Sequence, residues 1–265
     1  MSTFVFGANG MLGSSLMKYL KGVIGITKRS VDASVRDWKT MKGQLDTLLL
    51  DSSDVVINAM GITNKRNSPD IDFIMVNTIF PRLLADYCEH RGVNMIHITT
   101  DCVYDGLRGN YNEGDVANAK DIYGLTKLLG EPINCTVIRT STIGESNRSD
   151  KDLLEWVRSN RGLEIKGYTD HHWNGITCLQ YAKVCEKIIR EELYWMGVRH
   201  IHSPGAITKY SLVKLINDTY DLGCTITPVE SGRFCDRTLS SWYPMGFDIP
   251  TIEEQIIEQK NYLRQ

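Results

Sequence analysis

Apolar residues in this chain occur in two alternating patterns. Short continuous runs, typical of buried strands, lie at residues 4–6, 23–27, 55–59, 95–99 and 136–140. Between them, apolar side chains recur every three to four positions, as on one helix face, at Leu12, Leu16 and Leu20, over residues 76–90 and up to residues 48–50. Buried strands that alternate with helices predict an α/β fold with a doubly wound parallel sheet, as in a Rossmann fold.

The alternation of strands and helices breaks after residue 142. A polar stretch follows, and then a helix over residues 179–193 and a strand over 198–202 resume the pattern. We therefore predict a Rossmann domain and a smaller C-terminal substrate lobe interleaved with it. The domain comprises residues 1–142, completed by about 175–204, and the lobe comprises residues 143–174 and 205–265.

Composition argues against several classes of protein. The 265 residues carry 30 Lys and Arg against 32 Asp and Glu, with a formal charge of −2, which is unlike a nucleic-acid-binding protein. No apolar run approaches the roughly 20 residues that span a bilayer, and the first residues lack a signal-peptide pattern, so we expect a cytoplasmic protein without membrane contact. The seven cysteines form no C-x-x-C pair and the six histidines no H-E-x-x-H motif, so no metal site is expected.

A glycine turn joins the first predicted strand to the first helix. Glycines at Gly7, Gly10 and Gly13 let the backbone turn tightly and approach a pyrophosphate, which helix N-termini attract. The segment therefore predicts a dinucleotide site that is contacted by Gly7, Asn9, Gly10, Met11, Leu12 and Gly13. The alternative is a plain tight turn. The G-x-x-G-x-x-G spacing differs from G-x-G-x-x-G and resembles that of short-chain dehydrogenases.

Two cations follow the second predicted strand. Many NAD-binding Rossmann proteins carry an acid there for the ribose 2′-hydroxyl, whereas this chain has Lys28 and Arg29. Cations suit a 2′-phosphate, so the sequence predicts NADPH, with NADH as the less favoured cofactor. The alternative is that both side chains are simply solvated.

A Tyr-x-x-x-Lys pair supplies candidate proton-transfer chemistry. Tyr123 and Lys127 are one helical turn apart, and Thr100 ends the strand that precedes them. The Lys127 ammonium, together with the positive nicotinamide of an oxidised cofactor, is expected to lower the pKa of the phenol. Thr100 would hydrogen-bond a substrate carbonyl while Tyr123 delivers the proton.

Several longer segments resemble one family, the dTDP-4-dehydrorhamnose reductase family of extended short-chain dehydrogenases/reductases. The similar segments are residues 99–106, 111–113, 123–131, 139–141 and 237–240, and the likeness covers nearly the whole chain. The resemblance implies reduction of the 4-keto group of a nucleotide-linked 4-keto-6-deoxyhexose in deoxysugar biosynthesis. It implies that Tyr123 protonates the alkoxide, Lys127 holds the cofactor ribose and Thr100 orients the ketone. Asn58, Ala59 and Asn77 match further cofactor-binding segments of short-chain enzymes.

Cys102 departs from the reductase pattern, which usually has Tyr there. Sugar-nucleotide 4,6-dehydratases have Glu at this position, so Cys102 argues against dehydration. It coincides with the cysteine of GDP-fucose synthase, which is paired with a histidine similar to His172. By that resemblance, Cys102 and His172 would exchange protons at C3 or C5 of the sugar. The alternative is that Cys102 only packs and His172 only hydrogen-bonds the sugar.

The resemblance also implies substrate contacts and partners. The expected contacts with a UDP-, dTDP- or GDP-linked sugar are Thr100, Asp101, Tyr104, Tyr168, Trp173, Asn174 and Arg237. Relatives are often homodimers, and we expect the same here. Two other functions stay open: a 4-epimerase that keeps NAD bound, and a non-catalytic regulatory subunit similar to the beta subunit of methionine adenosyltransferase. Lys28 and Arg29 argue against the first, and the set of Thr100, Tyr123 and Lys127 argues against the second.

Overall fold

The structure, a computed structural model, describes residues 1–63, 68–146, 152–244 and 246–262. In these ranges the strands are β1 (Thr3–Phe6), β2 (Val23–Ile26), β3 (Val55–Asn58), β4 (Asn94–Thr100), β5 (Thr136–Thr140), β6 (Thr142–Ile143), β7 (Glu164–Tyr168), β8 (His171–Trp173), β9 (Ile176–Thr177), β10 (Gly197–His200), β11 (Ile207–Thr208), β12 (Thr225–Val229) and β13 (Cys235–Asp236). The helices are α1 (Met11–Tyr19), α2 (Trp38–Asp46), α3 (Asp70–Phe73), α4 (Phe80–Glu89), α5 (Ile122–Leu129), α6 (Leu153–Ser159), α7 (Cys178–Arg190), α8 (Lys209–Tyr220) and α9 (Ile252–Tyr262).

The main sheet joins six of these strands in the order β10-β5-β4-β3-β1-β2, and every neighbouring pair is parallel. One buried apolar cluster covers each face of the sheet. The predicted doubly wound sheet is therefore confirmed. The chain reverses its direction of travel across the sheet between β1 and β3. In open α/β sheets, ligands bind at the carboxyl ends of the strands beside such a reversal.

Smaller sheets lie outside the main one. They pair β6 with β9, β7 with β12, and β8 with both β11 and β13. A third apolar cluster, with Leu154, Trp173 and Ile216 at its centre, packs α6 and α8 against these strands. Between them, α7 packs on α1 and β10 returns to the main sheet beside β5. The chain thus leaves the main sheet after β5, returns for β10 and leaves again.

Two helices differ in extent from the sequence-based prediction. The helix predicted over residues 76–90 begins six residues earlier, at α3, where Asp70 and Asp72 stabilise the first turn through the helix dipole. A π-helical segment, Ile74–Ile79, joins α3 to α4. Helix α2 ends at Asp46 rather than near residue 50, because Leu49 has a φ of 51°, in the left-handed region.

The described residues form neither a membrane-spanning helix nor a cluster of metal-ligating side chains. In that part of the chain no helix is both long and apolar enough to cross a membrane. No group of three or more His, Cys, Asp or Glu side chains in the same part of the chain is arranged to hold a metal ion.

Candidate active site

The glycine turn brings the N-terminus of α1 close to the end of β3. Gly7 has a φ of +78°, and a Cβ added there would lie 3.0 Å from the carbonyl carbon of Ala59. A Cβ at Gly13 would overlap the carbonyl oxygen of Gly7, which accepts a hydrogen bond from the Gly10 amide at 2.8 Å. Gly7 therefore makes the turn, and Gly13 lets α1 pack against it.

Three cavities meet around this turn, and we name them by position. The β2 cavity, of about 720 Å³, is lined by Gly7, Asn9 and residues of the loop after β2, including Lys28 and Arg29. The β4 cavity, of about 440 Å³, is lined by Met11, Leu12, Thr100, Asp101, Cys102, Tyr123 and Lys127. Both share Gly10 and Ala59. The lobe cavity, of about 180 Å³, shares Met11, Ser141 and Thr142 with the β4 cavity.

The predicted proton-transfer residues lie together in the β4 cavity. Thr100 hydrogen-bonds the Tyr123 side chain, and its Oγ1 also accepts the Cys102 amide at 3.2 Å. The Nζ of Lys127 donates to the carbonyl oxygen of Ile98 at 2.7 Å. A 3₁₀ turn over Asp101–Val103, directly after β4, turns the chain so that Asp101 and Cys102 both face the cavity.

The electrostatics of this pair differ from the prediction. Burial raises the pKa of Tyr123, and Cys102 and Asp101 reinforce the rise, against the hydrogen bond from Thr100. Burial also lowers the pKa of Lys127 to about 8, while Glu131 opposes that shift. Burial therefore dominates the Tyr123 pKa in the protein alone, and the lowering expected beside Lys127 and an oxidised nicotinamide stays a prediction. Tyr123 is a protonated phenol at neutral pH.

Cys102 is a neutral thiol in this site. Burial, reinforced by the charge of Asp101, raises its pKa to about 12, although the nearby Arg237 opposes the shift. The Nη1 of Arg237 lies 3.9 Å from the Cys102 Sγ, and its Nε donates to the Tyr104 carbonyl at 2.8 Å. Burial likewise raises the pKa of Asp101, against the charges of Arg237 and Lys209.

His172 does not line the β4 cavity. It lies in β8, in register with Asp236 of β13, and its ring centroid is 5.9 Å from that of Phe234. Residues in register on adjacent strands share a face, so His172 lies on the face of Asp236 and Phe234. Cys102, in contrast, lines the β4 cavity. Joint proton transfer by Cys102 and His172 stays a prediction.

Two residues predicted to contact the substrate, Tyr104 and Asn174, are buried and hydrogen-bonded within the protein. Tyr104 is fully buried, with its ring stacked 4.2 Å from that of Tyr111 and its hydroxyl bonded to Arg139 at 2.6 Å. The buried Asn174 amide bonds both the N–H and the carbonyl of Leu239, at 2.8 and 2.7 Å. Packing between lobe and domain encloses both side chains, and their contact with substrate stays a prediction.

Tyr168 and two asparagines have other positions than expected. Tyr168 is 44% exposed on β7, with its ring against His171. Asn58 and Asn77 are buried beneath the loop that follows β3. The Asn58 Oδ1 accepts the Met60 amide at 3.1 Å, and the Asn77 Oδ1 accepts the Ile62 amide at 2.9 Å. Both asparagines therefore position the loop that lines the cavities, rather than lining them.

The amino-acid sequence matches the RmlD substrate binding domain family over residues 1–239. The chain belongs to this family.

Individual members and folds agree with that assignment. A dTDP-4-keto-6-deoxy-D-glucose reductase of Streptomyces niveus is 27% identical over 264 residues, which cover 92% of this chain and 88% of that protein. The crystal structure of a dTDP-4-dehydrorhamnose reductase from Clostridium acetobutylicum ATCC 824 has a TM-score of 0.81 at 24% identity and covers 100% of both chains. One from Bacillus anthracis str. Ames, solved in complex with NADP, has a TM-score of 0.80 at 19% identity and covers 98% of each chain. The predicted family and fold are confirmed.

One residue of this RmlD-family chain, Lys209, lines the lobe cavity without having been predicted from the sequence. It is the first residue of α8, and its Nζ lies 5.2 Å from the ring centroid of the buried Trp173. Both residues line the lobe cavity. A cation in the first turn of a helix opposes the helix dipole, unless an anion compensates it. No local sequence pattern indicated Lys209, because its contact with Trp173 joins two separate segments of the chain.

Proposed function

We propose that this protein is an NADPH-dependent 4-ketoreductase, which acts on a nucleotide-linked 4-keto-6-deoxyhexose in deoxysugar biosynthesis. The observation that carries the proposal is the meeting of Thr100, Tyr123 and Lys127 in one cavity that opens, at Gly10, onto the glycine turn. The dTDP-4-keto-6-deoxy-D-glucose reductase of Streptomyces niveus, similar over most of its length, supports the same reaction class.

The residues around the glycine turn fit a phosphorylated dinucleotide. Gly10, the N-cap of α1, lines both the β2 and the β4 cavity, so the helix N-terminus faces the space where a pyrophosphate would bind. Lys28 and Arg29 line the β2 cavity, where they would meet a 2′-phosphate. The NADP complex of the Bacillus anthracis reductase supports this choice of cofactor. When bound, NADPH supplies the hydride that reduces the ketone carbon.

The chain's own residues manage the proton and the orientation of the ketone. Thr100 would hydrogen-bond the ketone oxygen beside Tyr123. Because burial keeps Tyr123 protonated, its phenol can donate a proton to the alkoxide that forms during reduction. Lys127, held by the Ile98 carbonyl, would bind the cofactor ribose and stabilise the phenolate that remains.

The rest of the substrate would extend toward the lobe cavity. This cavity continues from the β4 cavity through Ser141 and Thr142. Lys209 and Arg237 supply positive charge for a diphosphate, and Trp173 supplies an aromatic wall. The Streptomyces niveus relative is named for a dTDP-linked sugar, which supports dTDP over UDP and GDP.

A homodimer and a cytoplasmic location complete the proposal. Ile74 and Ile79 of the π-helical segment, and Leu125 and Leu129 of the adjacent α5, are all exposed apolar side chains. Pairing of this surface with a second copy would remove it from water. Light scattering should give twice the monomer mass, and Leu129→Glu should yield a monomer. A wild-type monomer at micromolar concentration would refute the dimer.

The test is steady-state NADPH oxidation with dTDP-, UDP- and GDP-linked 4-keto-6-deoxy sugars. Tyr123→Phe should lower kcat by about 10²- to 10⁴-fold, the usual contribution of a general acid, with an unchanged Kd for NADPH. Tyr262→Phe, which removes the hydroxyl bonded to the Lys18 carbonyl, is the matched control and should keep full activity.

Other outcomes separate the alternatives. Binding of NADPH without oxidation by any of the sugars would favour the non-catalytic subunit. Purification with tightly bound NAD, and interconversion of sugars without net oxidation, would favour the 4-epimerase. Full turnover by Tyr123→Phe would refute the proposed role of the phenol.

A further inference from the structure

An acidic side chain lies in the β2 cavity beside the two predicted phosphate-binding cations. The Oδ2 of Asp32 lies 3.5 Å from the Nζ of Lys28, which also bonds the Ser34 hydroxyl at 3.4 Å. Lys28, Arg29, Asp32 and Ser34 all line this cavity. The side chain of Lys28 is 76% exposed, and that of Asp32 is 29% exposed. The carboxylate is therefore part of the cavity wall, and the cation reaches toward it from solvent.

Asp32 is held in place and ionised. Its Oδ1 accepts the backbone amide of Ser34 at 2.9 Å and the Ser34 hydroxyl at 2.6 Å, and its own amide donates to Gln44 at 3.0 Å. Burial alone would raise the pKa of Asp32, but the Ser34 hydrogen bonds and the charge of Lys28 outweigh it and hold the pKa below its usual value. Asp32 is therefore a fixed carboxylate at neutral pH.

A fixed carboxylate changes what Lys28 offers to a ligand. A 2′-phosphate that approaches Lys28 must compete with Asp32 for the ammonium and meets the repulsion of a second anion. A ribose 2′-hydroxyl has no such conflict, because the carboxylate can accept its hydrogen bond. The same wall thus combines a feature that favours NADPH with one that favours NADH.

We propose that Asp32 is a specificity-determining residue, which limits the preference for NADPH and lets the site accept NADH as well. The inference rests on the proposed function, since it concerns the cofactor of that reaction. The Lys28–Asp32 ion pair is largely exposed, so solvent screens it and its effect on binding is modest. The carboxylate repels a doubly charged phosphate more strongly than it affects a neutral hydroxyl. Removal of its charge should therefore raise the affinity for NADPH relative to NADH by about three- to tenfold.

The experiment compares two probes that differ only in the 2′-phosphate. Kd values for adenosine 2′,5′-bisphosphate and 5′-AMP, and for NADPH and NADH, are measured by calorimetry for the wild type and Asp32→Asn. Asparagine keeps an acceptor for Ser34 while it removes the charge. Asp51→Asn is the matched control: the Asp51 Oδ1 bonds the Ser53 amide and hydroxyl at 2.8 and 2.7 Å in the same way, at the opposite end of the sheet.

We expect Asp32→Asn to lower the Kd for adenosine 2′,5′-bisphosphate and for NADPH. The Kd for NADH should rise or stay unchanged. Asp51→Asn should leave all four Kd values unchanged. An equal change for both members of each pair, or no change, would overturn the role of Asp32 while the proposed reductase stands. If the wild type bound neither dinucleotide, the proposed function would fail, and this inference with it.

Discussion

The ammonium of Lys127 donates a hydrogen bond of 2.7 Å to the backbone carbonyl of Ile98, two residues before Thr100. This contact fixes the distance between α5, which carries Tyr123, and the end of β4, which carries Thr100. It also places a cation where little water reaches it, and burial therefore lowers the pKa of Lys127 to about 8. A group with that pKa titrates within the range in which the enzyme can be assayed.

The first prediction concerns pH. Lys127 is charged in the folded protein below about pH 8 and loses its proton above it. Because the proposed ribose contact needs the ammonium, kcat/KM for NADPH should fall as pH rises through 8. Lys127→Arg, which stays charged, should show no such fall, whatever its absolute rate. A wild-type profile that is flat from pH 7 to 9.5 would contradict the expected titration.

The same lowered pKa predicts the opposite trend for stability. In the unfolded chain Lys127 keeps its proton to its ordinary pKa of 10.5, so between pH 8 and 10.5 the unfolded state binds more protons. The free energy of unfolding of the wild type, relative to Lys127→Met, should therefore increase across that interval. Urea unfolding at several pH values measures it, and a constant difference would argue against a buried ammonium.

The second prediction concerns epimerisation. Burial raises the pKa of Cys102 and keeps it a neutral thiol, and His172 does not line the β4 cavity that Cys102 lines, so we expect no proton exchange on the sugar ring. In deuterated water, the reduced sugar should carry no deuterium at C3 or C5, and Cys102→Ser should keep kcat/KM within about threefold, because the thiol takes no part in proton transfer. Deuterium at either carbon that disappears in Cys102→Ser would restore the epimerase hypothesis.

The third prediction concerns the glycine turn. A methyl group at Gly13 would overlap the Gly7 carbonyl, whereas one at Gly43, also within a helix, meets nothing within 4 Å. Gly13→Ala should weaken NADPH binding by at least about tenfold and lower stability by about 1–3 kcal/mol, as overpacking does. Gly43→Ala should raise stability by about 0.5–1 kcal/mol through helix propensity alone. Calorimetry and urea unfolding measure both, and equal behaviour of the two variants would refute the packing argument.

The fourth prediction concerns a buried ion pair beneath the site. Arg139 is bonded to Glu131 at 3.0 and 2.6 Å and to the Tyr104 hydroxyl, and all three side chains are buried. Glu131→Gln leaves the guanidinium without a counter-charge and should destabilise the protein by about 3 kcal/mol or more. Glu191→Gln, at a surface pair with Arg190, should change stability little. If Glu131→Gln changed the free energy of unfolding only slightly, the hydrogen bond to Tyr104 and solvent would be enough to stabilise the charge of Arg139.

Local arrangements of the site follow from sequence more readily than distant ones. Tyr123 and Lys127 share a helix face because four residues make about one turn, and Gly7 must turn tightly because a helix follows β1 at once. By contrast, Cys102 and Tyr104 are two residues apart, yet only Cys102 lines the cavity. The direction of Tyr104 depends on Arg139, which reaches it from β5, and no local pattern reports that contact.

The sequence by itself determined the parallel α/β sheet, the glycine turn and the proposed catalytic set of Thr100, Tyr123 and Lys127, because strand burial, helix periodicity and short spacings are encoded locally. Tertiary structure alone decided that Lys209 lines the lobe cavity, that His172 does not line the β4 cavity, and that Asn174 hydrogen-bonds Leu239. Each of these depends on how the lobe packs on the domain, which sets the direction of side chains far apart in the chain. Desolvation by the same packing, and not the identity of their neighbours in sequence, determines whether Tyr123 and Cys102 hold their protons.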